Sequence, residues 1–189
     1  MTDLGALLPQ ILFALGVGFL VANLLALREL LRWMRRRSAA VLVWAAPKPP
    51  YYGLSLAIGV MLGVLILFNA IVQLRPPASL FGEVMMFVYY GYMLPLSTRI
   101  KRGLYEDGIW ADAGFVPYTE IGGLTWKDGE HPTLVLVARR RAVARRLQVP
   151  GPRLGEVRRL LRERISSHDI EFDGGPGLHL GERDTRESV

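Results

Sequence analysis

Residues 7–27 of the chain read LLPQILFALGVGFLVANLLAL, a run of 21 residues without a charged side chain. At about 1.5 Å of rise per residue, a helix of this length covers a hydrocarbon core of roughly 30 Å. A second such run occupies residues 53–74, and a shorter run of 17 residues, which contains Glu83, occupies residues 80–96. The sequence therefore predicts three transmembrane helices within residues 1–97.

Positive charge is distributed unevenly around these runs. The connection between the first and second runs carries six Lys and Arg side chains, and three more lie at residues 99–102, just after the third run. Only Arg75 lies between the second and third runs. Because Lys and Arg are retained on the cytoplasmic side, the N-terminus is predicted outside and everything after the third run in the cytoplasm. No positive charge precedes the first run, which favours a retained anchor over a cleaved signal peptide.

The connection between the first two runs has two parts. Residues 28–37 keep an apolar stripe at helical spacing, which predicts that the first helix continues beyond the lipid. Residues 38–46 read SAAVLVWAA, which is too short to span a membrane. We expect this second part to lie at the membrane interface with Trp44 as its anchor.

Glycines and polar residues inside the apolar runs indicate how the helices pack. Gly59 and Gly63 stand four residues apart, the small-residue spacing that allows membrane helices to approach closely. Glu83 is expected to reach outward to the headgroups or to pair with Arg75. The polar side chains expected to hydrogen-bond across helices are Gln10, Asn23, Asn69 and Gln73.

After residue 97 the apolar pattern changes from helical to strand-like. Residues 133–138 (TLVLVA) are the clearest strand, and Asp107-Gly108 separates two others, where it suits the positive φ values of a tight hairpin turn. Residues 154–165 carry apolar side chains on one face and arginines on the other, which predicts an amphipathic helix. Together these patterns predict a cytoplasmic α+β module of about five antiparallel strands and a C-terminal helix at residues 98–172.

Several stretches of this module resemble one family. They are GLYEDGIW at residues 103–110, FVPYTEI at 115–121, LVLV at 134–137 and LQVPG at 147–151, followed by the closing helix. This pattern is similar to the small bacterial pleckstrin-homology-like (PH-like) domains that are often fused to two or three transmembrane helices. The resemblance covers residues 98–172, and it implies a multi-pass protein of the bacterial inner membrane that carries a binding or assembly module and no enzymatic activity.

No signature of an enzyme, a metal site or a cofactor occurs in the sequence. The chain has no cysteine, which excludes disulfides and thiolate chemistry. Its three histidines lack the paired spacing of a metal site, and neither a phosphate-binding glycine loop nor a Gly-x-Ser-x-Gly elbow is present. We therefore predict no catalytic residue, no cofactor and no nucleic-acid partner.

Arginines are the feature of the module that suggests a binding site. Residues 99–165 carry 14 basic against 8 acidic side chains, whereas residues 168–189 carry 2 against 6. A positive residue that reaches an anionic leaflet contributes about 1 kcal/mol, so we expect binding to membrane lipids or to a protein partner. The alternatives are a solvated face without a ligand and a structural or assembly subunit of a larger membrane complex. Residues 173–189 hold too few apolar side chains to fold and are predicted to be a disordered tail. The candidate binding residues are Arg139, Arg140, Arg141, Arg145, Arg146, Arg158, Arg159 and Arg162.

Overall fold

The computed structural model describes residues 4–127, 132–139, 144–168 and 171–173. The chain divides into two compact units. The helical unit consists of Met1–Arg37 and Ala45–Lys101, and the sheet unit consists of Ser38–Trp44 and Arg102–Val189. Because each unit is built from two separate segments, the chain passes between the units three times.

The helical unit contains two long helices and one interrupted helical region. Helix α1 is Leu4–Arg36 and helix α2 is Tyr52–Ile71. The third region consists of α3 (Phe81–Val88), a π-helical turn (Tyr89–Met93) and α4 (Leu94–Ser97). The continuation of the first helix through its arginine-rich end is therefore confirmed.

Among the described residues, two helices, α1 and α2, are long and apolar enough to cross a membrane. Two of the three predicted helices therefore have this length, because the third apolar run forms a shorter region broken by the π-helical turn. Pro95 accounts for the break. It has no N–H to donate to the carbonyl of Gly91, and its ring displaces that carbonyl from the regular ladder.

Glycines let the third region approach its neighbours closely. A Cβ atom added at Gly16 of α1 would lie 2.8 Å from the Cα of Gly82, and one added at Gly59 of α2 would lie 3.1 Å from the backbone nitrogen of Gly91. A Cβ added at Gly63 would lie 3.0 Å from a phenylalanine ring of α3. The predicted close-packing role of Gly59 and Gly63 is confirmed, and Gly82 and Gly91 supply the matching surface.

The first sheet of the sheet unit has the strand order β1-β2-β3-β4. Its strands are Ala40–Ala45, Lys101–Tyr105, Gly108–Ala111 and Gly114–Pro117. The carbonyl of Ala39 accepts a hydrogen bond from the amide of Glu106, and the carbonyl of Leu42 lies nearest to Gly103. Strands β1 and β2 therefore run antiparallel.

Strand β1 corrects the prediction that residues 38–46 lie at the membrane interface. Leu42 and Trp44 are buried in the core of the sheet unit, while Val41 on the opposite face is 44% exposed. The indole Nε1 of Trp44 donates a hydrogen bond of 3.0 Å to the carbonyl of Gln148, at the end of a strand in the other sheet. Trp44 therefore links the two sheets and does not anchor the chain in a headgroup layer.

The second sheet has the strand order β7-β6-β5-β8. Its strands are β5 (Ile121–Lys127), β6 (Thr133–Ala138), β7 (Ala144–Gln148) and β8 (Glu171–Asp173). The pairs β5–β6 and β6–β7 are antiparallel, whereas β8 joins β5 in parallel. The described residues thus hold eight strands instead of about five, and β1 and β8 are two strands that the sequence did not predict.

Helix α5 (Leu154–His168) packs on the core formed by the inward side chains of both sheets. Val157 and Leu161 on its apolar face are at most 2% exposed. The predicted combination of an apolar helical region, antiparallel sheets and a C-terminal helix is confirmed. Apart from Asp173, the predicted tail lies outside the described residues.

The hairpin between β2 and β3 lies where the sequence predicts it, but the reason for glycine at position 108 differs from the predicted one. Positive φ occurs at Gly103 (138°) and Gly114 (110°) and not at Gly108. A Cβ atom at Gly108 would lie 2.3 Å from the carbonyl oxygen of Val116 on β4. Glycine is therefore needed at position 108 for the close approach of β4 and not for the turn itself.

Candidate functional site

The predicted arginine cluster is divided between structural and exposed side chains. Arg139 follows β6, and its Nε donates a hydrogen bond of 3.0 Å to the carbonyl of Ile121. Its side chain also covers Gly122, where an added Cβ would lie 2.9 Å from the arginine Cγ. Arg140 and Arg141 lie outside the described residues.

Arg145 on β7 is a link between the two sheets. Its Nη1 donates to the carbonyl of Ala113 at 3.2 Å and to that of Phe115 at 3.4 Å. The neighbouring Arg146 is exposed, and its backbone N–H donates to a carboxylate oxygen of Asp112 at 3.1 Å. Of this pair, only Arg146 presents its guanidinium to the surroundings of the domain.

Helix α5 carries the other predicted binding residues. Arg158, Arg159 and Arg162 are exposed and lie at helical spacings of three and four residues, so they share one face opposite Val157 and Leu161. We call these three arginines the basic face of α5. The guanidinium of Arg158 lies 5.4 Å from the ring centroid of Trp126, which holds this arginine against the sheet by a cation–π contact.

Tyr118 lies in the short turn between β4 and β5, close to α5. It is 2% exposed, and its hydroxyl donates a hydrogen bond of 3.2 Å to the carbonyl of Tyr105. Burial raises the pKa of Tyr118 to about 12, with the charge of Arg164 opposing the rise and that of Asp107 adding to it. The phenol is therefore neutral near pH 7 and acts as a fixed hydrogen-bond donor.

The helical unit buries three polar side chains, Asn23, Asn69 and Glu83, while many of its large apolar side chains are exposed. Glu83 is 4% exposed, and the Nδ2 of Asn69 lies 3.2 and 3.4 Å from its two carboxylate oxygens. Asn23, which is also buried, donates a hydrogen bond of 3.0 Å to the carbonyl of Met85. The expected interhelical hydrogen bonds of Asn23 and Asn69 are confirmed. The expectation that Glu83 reaches outward or pairs with Arg75 is wrong, because Asn69 on α2 holds its carboxyl group inside the unit.

We expect Glu83→Gln to be tolerated and Glu83→Leu to destabilise the helical unit. Glutamine keeps an oxygen that accepts from Asn69, whereas leucine leaves a buried donor unpaired at a cost of about 1–3 kcal/mol. Thermal unfolding of the full chain in detergent would measure the difference. The double change Glu83→Leu with Asn69→Leu should recover part of the loss, and a purely additive loss would contradict a direct interaction.

A groove of about 660 Å³ opens beside the π-helical turn. Its lining is mostly apolar and includes Ala14, Gly18, Phe19 and Ala22 of α1 together with Tyr89 and Tyr90 of the π-helical turn. The ring centroid of Phe19 lies 5.4 Å from that of Tyr89 and 5.6 Å from that of Tyr90. A Cβ atom added at Gly18 would meet no atom within 4 Å, unlike one at Gly16. The groove is therefore an open apolar surface of the helical unit.

In the part of the chain that the structure describes, no group of three or more His, Asp or Glu side chains is placed to hold a metal ion. Comparison of the chain with protein-family models, with curated proteins and with solved structures finds no match.

Proposed function

We propose that this chain is a multi-pass protein of the bacterial inner membrane that presents a cytoplasmic PH-like module to the anionic leaflet surface. A protein partner is the other candidate ligand of the same basic face. The observation that carries the proposal is the set of exposed arginines on α5, in a chain that also has two helices of membrane-spanning length.

The helical unit supports the membrane location by its distribution of side chains. Large apolar side chains are exposed along α1 and α2, for example Phe13 at 61%, Val60 at 68% and Met61 at 70%. The buried positions hold glycines and the hydrogen-bonded pair Asn69–Glu83. In a bilayer the exposed side chains would contact lipid, and the whole third helical region, from α3 through α4, would form a third, shorter transmembrane segment, with α3 packed against both α1 and α2. The Lys and Arg distribution favours an N-terminus outside and a sheet unit in the cytoplasm.

The strand arrangement supports a PH-like module. Strands β1 to β4 form one sheet, β5 to β7 form three antiparallel strands of the other, and α5 packs on the core between the sheets. Seven strands in two sheets followed by a C-terminal helix fit the architecture that the sequence resemblance implies. Such modules act by binding, which is consistent with a binding function for this chain.

Leaflet binding is supported by the chemistry of the basic face of α5. Exposed guanidinium groups are permanently charged and bind phosphate oxygens in a bidentate geometry. Their contribution is additive and salt-dependent, at about 1 kcal/mol for each side chain that reaches an anionic surface. Arg146 on β7 is a fourth exposed guanidinium of the same module.

We expect the triple variant Arg146→Gln, Arg159→Gln, Arg162→Gln to bind the leaflet much more weakly. We call it the α5 variant, because two of its three changes lie on α5. The loss of three charges corresponds to about a tenfold to hundredfold drop in affinity for anionic lipid. Since the chain has no native cysteine, Gly155→Cys on α5 offers a unique labelling site. Energy transfer from a dye at this site to headgroup-labelled lipid, in vesicles of increasing anionic content, would measure the effect on the full chain.

The matched control removes three exposed arginines of the helical unit instead, with the changes Arg28→Gln, Arg35→Gln and Arg37→Gln. This control should leave the energy transfer from the dye on α5 unchanged at every anionic lipid content. Equal curves for the parent chain and the α5 variant would contradict leaflet binding. In that case, capture of a specific protein by the parent chain and not by the α5 variant would identify a protein partner as the ligand.

The open groove beside the π-helical turn favours a second function, that of a structural or assembly subunit of a larger membrane complex. An apolar surface of this size with a glycine in its lining suits the close approach of another apolar helix. Co-purification from mild detergent distinguishes the two functions. Gly18→Leu fills the groove and should abolish a complex that forms there, whereas the α5 variant should retain it. This result would favour the role of an assembly subunit.

A further inference from the structure

The groove beside the π-helical turn lies on the same face of α1 as an arginine near the end of that helix. Gly18 and Ala22 line the groove, and steps of three or four residues lead from Ala22 through Leu25 and Glu29 to Arg32. At 3.6 residues per turn, all of these residues lie within about 40° of Gly18 around the helix axis. Helix α1 is continuous over this range, so the groove and the arginine are parts of one surface.

Distances along α1 match one leaflet of a bilayer. The first apolar run ends at Leu27, and half of a hydrocarbon core of roughly 30 Å extends about ten residues back from that point, past Ala22 and Gly18. Arg32 lies five residues beyond Leu27, about 7.5 Å along the axis, which is within a headgroup layer roughly 5–8 Å thick. A phospholipid of that leaflet therefore has its phosphate at the level of Arg32 and an acyl chain at the level of the groove.

The groove is large enough and open enough for an acyl chain. Its volume of about 660 Å³ is within the range of roughly 300–1,000 Å³ that is usual for small-molecule sites. A Cβ atom added at Gly18 would meet no atom within 4 Å. The rings of Phe19, Tyr89 and Tyr90 pack against one another and line the same groove. Leu25, the next residue of this face, is exposed, so a chain that leaves the groove can continue along α1.

Arg32 is held in a position that suits a phosphate. Its Nη1 donates a hydrogen bond of 2.9 Å to Oε1 of Glu29, and both side chains remain partly exposed. Because Glu29 precedes Arg32 by three residues, this bond draws the guanidinium toward the groove. It uses one of the five N–H donors of a guanidinium, and phosphate oxygens bind such donors in a bidentate geometry. Arg36, four residues further along the same face, offsets the charge of the Glu29 carboxylate.

We infer that the groove binds an acyl chain of an anionic phospholipid of the cytoplasmic leaflet, and that Arg32 binds the phosphate of the same molecule. Arg32 and Arg36 against Glu29 leave a net positive charge on this face, which favours an anionic headgroup over a zwitterionic one. The apolar groove favours a lipid over a free phosphate. The inference rests on the proposed membrane location and orientation of the chain, but not on leaflet binding by α5.

The site is tested on the full chain in neutral detergent, with phosphatidylglycerol as the probe and native mass spectrometry to count bound lipids. We expect the parent chain to bind one phosphatidylglycerol about fivefold more tightly than phosphatidylcholine, which is the effect of one net charge. Glycerol phosphate, which has the charge without the acyl chains, should not be retained. Equal binding of the two lipids would overturn the selection of an anionic headgroup.

Two variants separate the two ends of the site. Arg32→Gln should weaken phosphatidylglycerol binding by about fivefold. Gly18→Leu should abolish it, because the added side chain has no neighbour at its Cβ and occupies the groove. The matched controls are Arg99→Gln, which changes an exposed arginine after the third helical region, and Val21→Leu, which changes an exposed residue of α1. Both controls should bind phosphatidylglycerol as the parent chain does.

Equal binding by the parent chain, Arg32→Gln and Gly18→Leu would overturn the inference. A loss with Arg32→Gln alone would also overturn it, because the acyl chain would then lie outside the groove. A protein that occupies the groove in place of the lipid would do the same and would favour assembly. If the parent chain and the α5 variant engage vesicles equally while Arg32→Gln still loses the lipid, leaflet binding by α5 fails and this site stands. The converse result supports leaflet binding by α5 and rejects this site.

Discussion

Replacing Gly103 by valine should unfold the sheet unit. Gly103 has a φ of 138°, and a Cβ atom at this position would lie 2.2 Å from the carbonyl oxygen of Leu42 and 2.9 Å from the Cα of Val43. Valine therefore meets both backbone strain and a collision with β1, which together should cost about 3 kcal/mol or more. Thermal unfolding of the full chain in detergent, followed by tryptophan fluorescence, would measure the loss.

Gly155→Ala is the matched control for this experiment. Gly155 lies in α5 with no atom within 4 Å of an added Cβ, so alanine meets no neighbour and should stabilise the helix by about 0.5–1 kcal/mol. A Gly103→Val chain that unfolds at the same temperature as the parent would show that β1 does not press against β2 as described.

The second large effect concerns a fragment of residues 98–189, which we expect not to fold on its own. The fragment lacks β1 and therefore lacks Leu42 and Trp44, which are 9% and 7% exposed in the full chain. Losing a large buried side chain costs about 2–5 kcal/mol, and two such losses are comparable to the whole stability of a small domain. The same fragment preceded by residues 38–46 and a flexible linker should fold, as judged by near-ultraviolet circular dichroism.

Two substitutions in the added strand provide the control. Leu42→Ser points a hydroxyl into the core and should abolish folding of the joined fragment, whereas Val41→Ser on the exposed face should not. If residues 98–189 alone give a cooperative unfolding transition, β1 is not required for the sheet unit to fold.

Local patterns in the sequence were sufficient to predict most of the strands and the helix of the sheet unit. The strand at 133–138 is predicted with its observed bounds, and the C-terminal helix begins at Leu154 as predicted. In both cases the pattern of the segment itself, an apolar run for the strand and a helical stripe for the helix, determines the structure. The hairpin at residue 107 is also placed correctly, although the structural reason for Gly108 is a contact with β4 that the local sequence does not reveal.

The missed features depend on partners far away in the chain. Residues 40–45 read AVLVWA, which is equally compatible with an interfacial segment and with a strand. Partners far along the chain, such as Glu106 and Gln148, decide between them. The position of Glu83 likewise depends on Asn69 on another helix. Charge counting found the arginines, but it could not separate Arg145, which bonds two carbonyls, from the exposed Arg159.

The position of β1 in the chain sets the order in which the protein can be completed during synthesis. The ribosome makes β1 before α2 and the third helical region, and β2 begins only at Lys101. At roughly 5–20 residues per second, β1 waits several seconds without a strand to pair with. During that interval a short apolar strand needs protection from wrong partners. For the same reason, the module cannot be moved between genes as a single continuous cassette, because its first strand is encoded between two helices of the other unit.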